Sequence, residues 1–224
     1  MHASRAPVWL FDLDNTLHNA SRHAFPVIDA AMNRYMEDTL GVDADTATAL
    51  RTDYWRRYGA TLLGLLRHYP HAIKPHDFLA AAHPLADLTA QLHPMPGLRR
   101  TLARLPGRKI LFTNGARLYA EAMVRGLGIE REFIGIHAIE HGRFSPKPQP
   151  AAFRHILRKY RLQPAQCILV EDSLDNLRMA RRLGMKTVWL RPHRRGHASV
   201  DVLLKRLDGL AERWRGMSSV SSVV

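Results

Sequence analysis

Four short apolar runs punctuate the chain: Val8–Phe11, Lys109–Phe112, Cys167–Val170 and Thr187–Leu190. They are nearly continuous in hydrophobicity instead of alternating, which is the pattern of strands buried on both faces of a parallel sheet. Helical patterns over Leu118–Leu127, Pro150–Tyr160 and Leu174–Leu183 lie between and around them, and a fifth strand is predicted near Phe133–Ile136. Strands alternating with helices of this length are βαβ units. They predict an α/β fold built on a Rossmann-like, doubly wound parallel sheet.

Residues 18–96 break that rhythm and show only helical stretches, around Phe25–Leu40, Ala44–Tyr69 and His76–Ala82. A period of 3.6 places Tyr54, Tyr58, Leu62, Leu65 and Leu66 on one face of the middle stretch. The segment therefore reads as a helical domain inserted after the first strand, with Pro94, Pro96 and Gly97 marking the return to the sheet. The core is predicted over residues 1–17 and 97–216, and the low-complexity residues 217–224 are expected to be a disordered tail.

Charge and composition narrow the picture. The net charge of +13 is uneven: residues 18–96 hold seven basic and eight acidic side chains, against 26 and 12 in the remainder. Arg178 to Arg195 carries seven Lys or Arg and no acid, a field able to attract an anionic substrate or a nucleic-acid backbone. A solvated helix face is the simpler reading. The single cysteine, Cys167, excludes an internal disulfide framework and fits a buried strand in a reducing compartment. No apolar run approaches the length of a membrane span, and VWLF meets Asp12 and Asp14 where a signal peptide would continue. The expectation is a cytoplasmic protein without a membrane partner.

The chemistry collects at strand ends. In FDLDNTL, period-two alternation puts Asp12 and Asp14 on one side. Close carboxylates repel, so the pair calls for a cation, a shared proton or separate roles. LFTNG sets Thr113 and Asn114 where a helix N-terminus can receive an anion. SPKPQP holds Lys147 between two prolines, a positive charge on a restricted backbone. CILVEDSLDN supplies Glu171 and Asp172, hard ligands suited to Mg²⁺ and not to zinc, followed by the natural N-cap Ser173. The zinc-peptidase-like string HAIEH, His137–His141, lies in a strand-like context that does not suit that motif. Four features at one sheet edge point to metal-dependent phosphoryl transfer.

FDLDNTL, FTNG, PKPQP and VEDSLDN resemble, in order, the four motifs of the haloacid dehalogenase-like superfamily, and the helical insert resembles its cap domain. DNTL, AMNRYM, YWRRYGATLLGLL and LPGRKILFTNG are similar to its pyrimidine 5′-nucleotidase-like branch. The resemblance runs from about Val8 to Leu190 and implies an Mg²⁺-dependent phosphomonoester hydrolase. It makes Asp12 the nucleophile that becomes an aspartyl-phosphate and Asp14 the acid–base residue. It has Thr113 and Asn114 hold phosphoryl oxygens while Lys147 offsets charge on the phosphate and Asp12. Asp12, Asp14 (through its carbonyl), Asp172 and Glu171 would hold the metal.

The branch match implies a pyrimidine nucleoside 5′-monophosphate as substrate. Tyr54, Trp55, Tyr58 and Thr61 of the cap would contact it, as would His18 at the hinge. Two departures stand out: His18 replaces a tyrosine frequent in the branch, and Asn176 stands where many superfamily phosphatases carry another acid. Glu171 or Asp175 would substitute for that acid. The alternatives are a phosphatase or phosphomutase for phosphoglycolate or a sugar phosphate, and a nucleic-acid-binding protein on a hydrolase fold. Intact Asp12 and Asp14 argue against the latter, and Asp14, which the resemblance makes the acid–base residue of phosphotransferases, argues against a dehalogenase.

Overall fold

The computed structural model describes residues 6–191 and 196–220. The end of the basic stretch, residues 192–195, and residues 221–224 of the expected tail lie outside the described residues. The first apolar run is strand β1 (Val8–Phe11), with every residue buried. Five helices follow: α1 (Ala20–Leu40), α2 (Ala44–Tyr58), α3 (Thr61–His68), α4 (Pro75–Ala82) and α5 (Leu85–Ala90). The chain then runs through α6 (Leu98–Arg104), β2 (Arg108–Phe112), α7 (Arg117–Gly126), β3 (Gly135–His137) and α8 (Pro150–Lys159). It ends with β4 (Cys167–Glu171), α9 (Leu174–Arg182), β5 (Lys186–Leu190), β6 (Val202–Leu204) and α10 (Leu210–Val220). Among the described residues no helix is long and apolar enough to cross a membrane.

The six strands form one parallel sheet in the order β3-β2-β1-β4-β5-β6, with Leu10 of β1 opposite Ile110 and Leu169. Alternate residues feed two separate cores. Trp9, Phe11, Leu111, Ile168 and Val170 pack on one face with Tyr119 and Met123 of α7 and Leu210 of α10. Val8, Leu10, Ile110, Phe112 and Leu169 pack on the other with Phe153 and Ile156 of α8 and Leu177 of α9. Burial on both faces is why these runs carry hydrophobic residues at every position. Strands β2 and β3 lie to one side of β1 and β4 to the other. The carboxyl ends of β1 and β4 thus flank the switch point where open α/β sheets bind ligands.

The helical insert joins the sheet through two paired linkers. Asn19 N–H donates to His93 O at 2.9 Å, and Met95 N–H to Leu17 O at 2.9 Å. The helix expected over Ala44–Tyr69 is broken. Gly59 takes φ 81°, its N–H bonds Trp55 O, and α3 restarts at Thr61. A glycine in the left-handed conformation is a usual helix stop, and the apolar period continuing beyond it conceals the stop. The break folds α3 back on α2, so a Cβ at Gly64 would clash with the Tyr54 ring. Gly64→Ala is expected to cost about 1–3 kcal/mol, read as a lowered Tm.

The fifth strand forms over Gly135–His137, slightly later than the pattern placed it, and β6 was not anticipated. The α10 backbone continues through Val220, into the stretch expected to be tail.

Candidate active site

Asp12 follows β1 directly, and its N–H is held by Val170 O of β4 at 3.0 Å. The Asp12 side chain is 9% exposed. Lys147 reaches it from the loop before α8, fully buried, with Nζ donating to Asp12 Oδ1 (2.7 Å), Glu171 Oε2 (2.8 Å) and Phe112 O (2.7 Å). Burial pulls the lysine down, but the carboxylates of Asp12 and Glu171 outweigh this and hold it above its ordinary value. Lys147 is therefore a fixed cation.

Asn114 clamps the lysine's backbone. Its Oδ1 accepts from Lys147 N–H at 2.7 Å and its Nδ2 donates to Lys147 O at 3.0 Å. The carboxamide expected to hold phosphoryl oxygens is thus engaged in placing Lys147. Thr113 Oγ1 accepts from Gly115 N–H at 2.9 Å, which leaves its hydroxyl proton to donate.

At the end of β4, Glu171 is saturated. Oε1 accepts from the N–H groups of Asp172 (3.1 Å) and Ser173 (3.2 Å), and Oε2 from Lys147 and Asn176 Nδ2 (2.9 Å). The Asn176 departure now has a physical reason, since an acid there would face the buried Glu171 carboxylate without a donor. Asp175, the other candidate assistant to a metal, is exposed at the surface and pairs with Arg178 at 2.8 Å.

Ligand atoms of Asp12, Glu171 and Asp172 all lie within 4.8 Å of one another. Burial, then the nearby Glu171, pushes Asp12 up to about 7 against the pull of Lys147. Burial, then Glu171 and Asp12, pushes Asp172 up to about 9. Three carboxylates around one ammonium leave an excess of negative charge, and an all-oxygen donor set fits a hard divalent cation. Among the described residues no His or Cys joins such a cluster, His137 and His141 included.

Asp14 is not among the three residues of this cluster. Its Oδ1 accepts from Tyr119 Oη at 2.6 Å and lies 3.0 Å from His18 Nε2. His18, expected at the substrate, is 1% exposed, with its ring against Asp14 and Tyr119. Burial and the Asp14 charge raise the Tyr119 phenol far above its ordinary value, keeping it a donor.

Two of the insert residues expected at the substrate are packed within the insert. Tyr54 is buried and stacks on His68 at 5.1 Å, and Thr61 Oγ1 donates to Arg51 O at 3.1 Å. Tyr58 Oη lies 2.8 Å from His68 Nε2. The turn at Gly59 nonetheless comes against the lysine loop, where an added Cβ would lie 3.6 Å from Pro146 Cγ and 3.9 Å from Lys147 O.

A family model for haloacid dehalogenase-like hydrolases matches residues 8–184, from the start of β1 to just past α9. The chain belongs to that family. It is 29% identical over 193 residues to Phosphate metabolism protein 8 of Saccharomyces cerevisiae, covering 80% of this chain and 59% of that protein. It is 27% identical over 199 residues to Glyceraldehyde 3-phosphate phosphatase of Pyrococcus furiosus, covering 84% and 81%. In fold it is similar to CbbY from Rhodobacter sphaeroides, solved in complex with phosphate, at TM-score 0.66 and 23% identity over 92% of this chain and 96% of that one.

Tyr119 was missed as a site residue. In the sequence it is one more apolar position of an amphipathic helix, and its contact with Asp14 spans 105 residues. Only a tyrosine among aliphatic core positions hints that a hydroxyl needs a buried partner.

Proposed function

We propose that the chain is an Mg²⁺-dependent phosphomonoester hydrolase working through an aspartyl-phosphate on Asp12. The observation that carries this reading is Lys147, buried and bonded at once to Asp12 and Glu171. With Oδ1 of Asp12 held by the lysine, Oδ2 is left to attack phosphorus as the bond to the leaving oxygen breaks. Asp14 gives that oxygen its proton. The Asp14 carboxylate then takes a proton from the water that attacks phosphorus, releasing inorganic phosphate and restoring Asp12. Thr113 donates to a transferring phosphoryl oxygen, while Lys147, its three N–H engaged by Asp12, Glu171 and Phe112 O, offsets the charge that develops there.

Asp12 and Asp172 would hold Mg²⁺, with the carbonyl of Asp14, and Glu171, whose oxygens already accept four bonds, would add negative charge beside them. The ion, when bound, would supply positive charge that lets a dianionic ester approach these carboxylates. EDTA-treated protein is expected to lose p-nitrophenyl phosphate turnover, and Mg²⁺ to restore it. Ca²⁺ should not, because it prefers more ligands at longer distances and would engage both Asp12 oxygens, leaving none free to attack. Full turnover by metal-free protein would overturn the metal assignment.

For the substrate we propose a pyrimidine nucleoside 5′-monophosphate. Tyr54 and Thr61 do not support this, but Trp55, 65% exposed on α2, precedes by one turn the Gly59 contact with the lysine loop. It offers an exposed aromatic surface to a base. The name of the Pyrococcus furiosus relative favours a second reading, a small sugar phosphate. A kcat/KM panel over UMP, CMP, AMP, phosphoglycolate and glyceraldehyde 3-phosphate separates them. UMP or CMP is expected to lead, with Trp55→Ala lowering their kcat/KM about tenfold, in line with the ~1–3 kcal/mol of base–aromatic stacking. A tenfold lead for any other ester would remove the nucleotide reading and keep the phosphatase one.

A further inference from the structure

Asp14 is held from one side only. Oδ1 receives the Tyr119 hydroxyl from α7 at 2.6 Å and the His18 ring from the hinge at 3.0 Å, and the two partners lie 3.2 Å apart. Oδ2 has no partner among the described residues, and the Asp14 side chain keeps 19% exposure while Tyr119 is fully buried. Tyr119 is itself braced. The His83 ring lies against it at 4.9 Å, fixed by the 2.7 Å contact of His83 Nδ1 with Leu79 O. His18 is braced by the linkers, bridging Asp14 on one side and Pro94 on the other.

A carboxyl group has two equivalent oxygens, and a proton on the wrong one points away from its target. Two donors on Oδ1 remove that equivalence, because Oδ1 accepts both whether the group is ionised or protonated. We propose that Tyr119 and His18 are positioning residues that anchor Oδ1 of Asp14, so that Oδ2 alone carries the proton to the leaving oxygen. This rests on the reading of Asp14 as the general acid. Simple satisfaction of a buried tyrosine would place the same hydroxyl near a carboxylate, but it predicts no dependence on the leaving group.

The test compares kcat/KM for the best alkyl phosphate of the panel, whose alkoxide must be protonated, with that for p-nitrophenyl phosphate, whose phenolate need not be. Asp14→Asn is the control and should depress the alkyl ester far more than the aryl one. Tyr119→Phe is expected to lower the alkyl ester about 10–100-fold and the aryl ester less than about threefold, a part of the 10²–10⁴ that a general acid contributes. His18→Leu should reproduce that split. His18→Gln, which keeps an N–H donor at similar reach, should recover most of it.

If Asp14→Asn shows no split, the acid assignment itself fails. If Asp14→Asn shows the split but Tyr119→Phe and His18→Leu lower both esters in parallel, or neither, the positioning role is overturned. Should Tyr119→Phe fold poorly, the two His18 variants decide alone.

Discussion

Asp12→Asn is expected to fold and to lose at least about 10⁴-fold in kcat, the scale seen when a covalent nucleophile is removed. An amide is a poor nucleophile and cannot form the acyl phosphate. The change should not unfold the protein. The carboxylate already sits unfavourably, lifted to about 7 by burial and the neighbouring Glu171, and Lys147 keeps Glu171 and Phe112 O as partners. Steady-state turnover together with a thermal melt checks both halves. Activity within tenfold of wild type would remove Asp12 from the chemistry, and a collapsed melt would make its role structural.

Lys147→Met should lose both activity and stability. The ammonium is the cation between two buried carboxylates, and methionine keeps its apolar stem while leaving Asp12 and Glu171 facing each other. Breaking a buried pair in this way costs about 3–5 kcal/mol, and loss of the positive charge beside the transferring phosphoryl group adds about 10³-fold in rate. The sign with pH follows from the carboxyls. Without the lysine the folded pKa of Asp12 rises further above the unfolded value, so protonation stabilises the fold. The stability deficit should then shrink as pH falls and grow as it rises. Denaturant melts of both proteins at an acidic and an alkaline pH measure this. A deficit that does not change with pH, or wild-type stability throughout, would contradict the buried-pair description.

The parallel sheet was legible because each of its long strands is buried on both faces, so hydrophobicity persisted at successive positions of β1, β4 and β5. Strand β6 was not legible. Three residues at an edge, two of them only partly buried, give too short a signal. The break at Gly59 was visible as a glycine but was overridden by the apolar period carried across it from Tyr58 to Leu62. At the carboxyl end of the sheet, Asp12, Thr113, Glu171 and Asp172 could be placed because a strand end fixes where its last residues go, and Lys147 because two prolines restrict the loop that carries it.

What the sequence could not show is how side chains divide the work once assembled. Asn114 reads as an anion-binding turn, yet its carboxamide closes a two-way bond with Lys147. Asn176 reads as a missing ligand, yet it donates to Glu171. His18 reads as a substrate contact, yet together with Tyr119 it faces Asp14. Each of these depends on partners at long separation, or on a rotamer that no spacing rule encodes.

Chemical trapping would catch the aspartyl-phosphate on Asp12 itself. Wild-type protein with Mg²⁺ and excess substrate would be quenched in acid within its first turnovers, then digested and mapped by mass spectrometry. The expected result is a phosphoryl group on the peptide bearing Asp12, labile to hydroxylamine and absent from Asp12→Asn. Phosphate release at full rate with no label on that peptide, or a label on another residue, would contradict it.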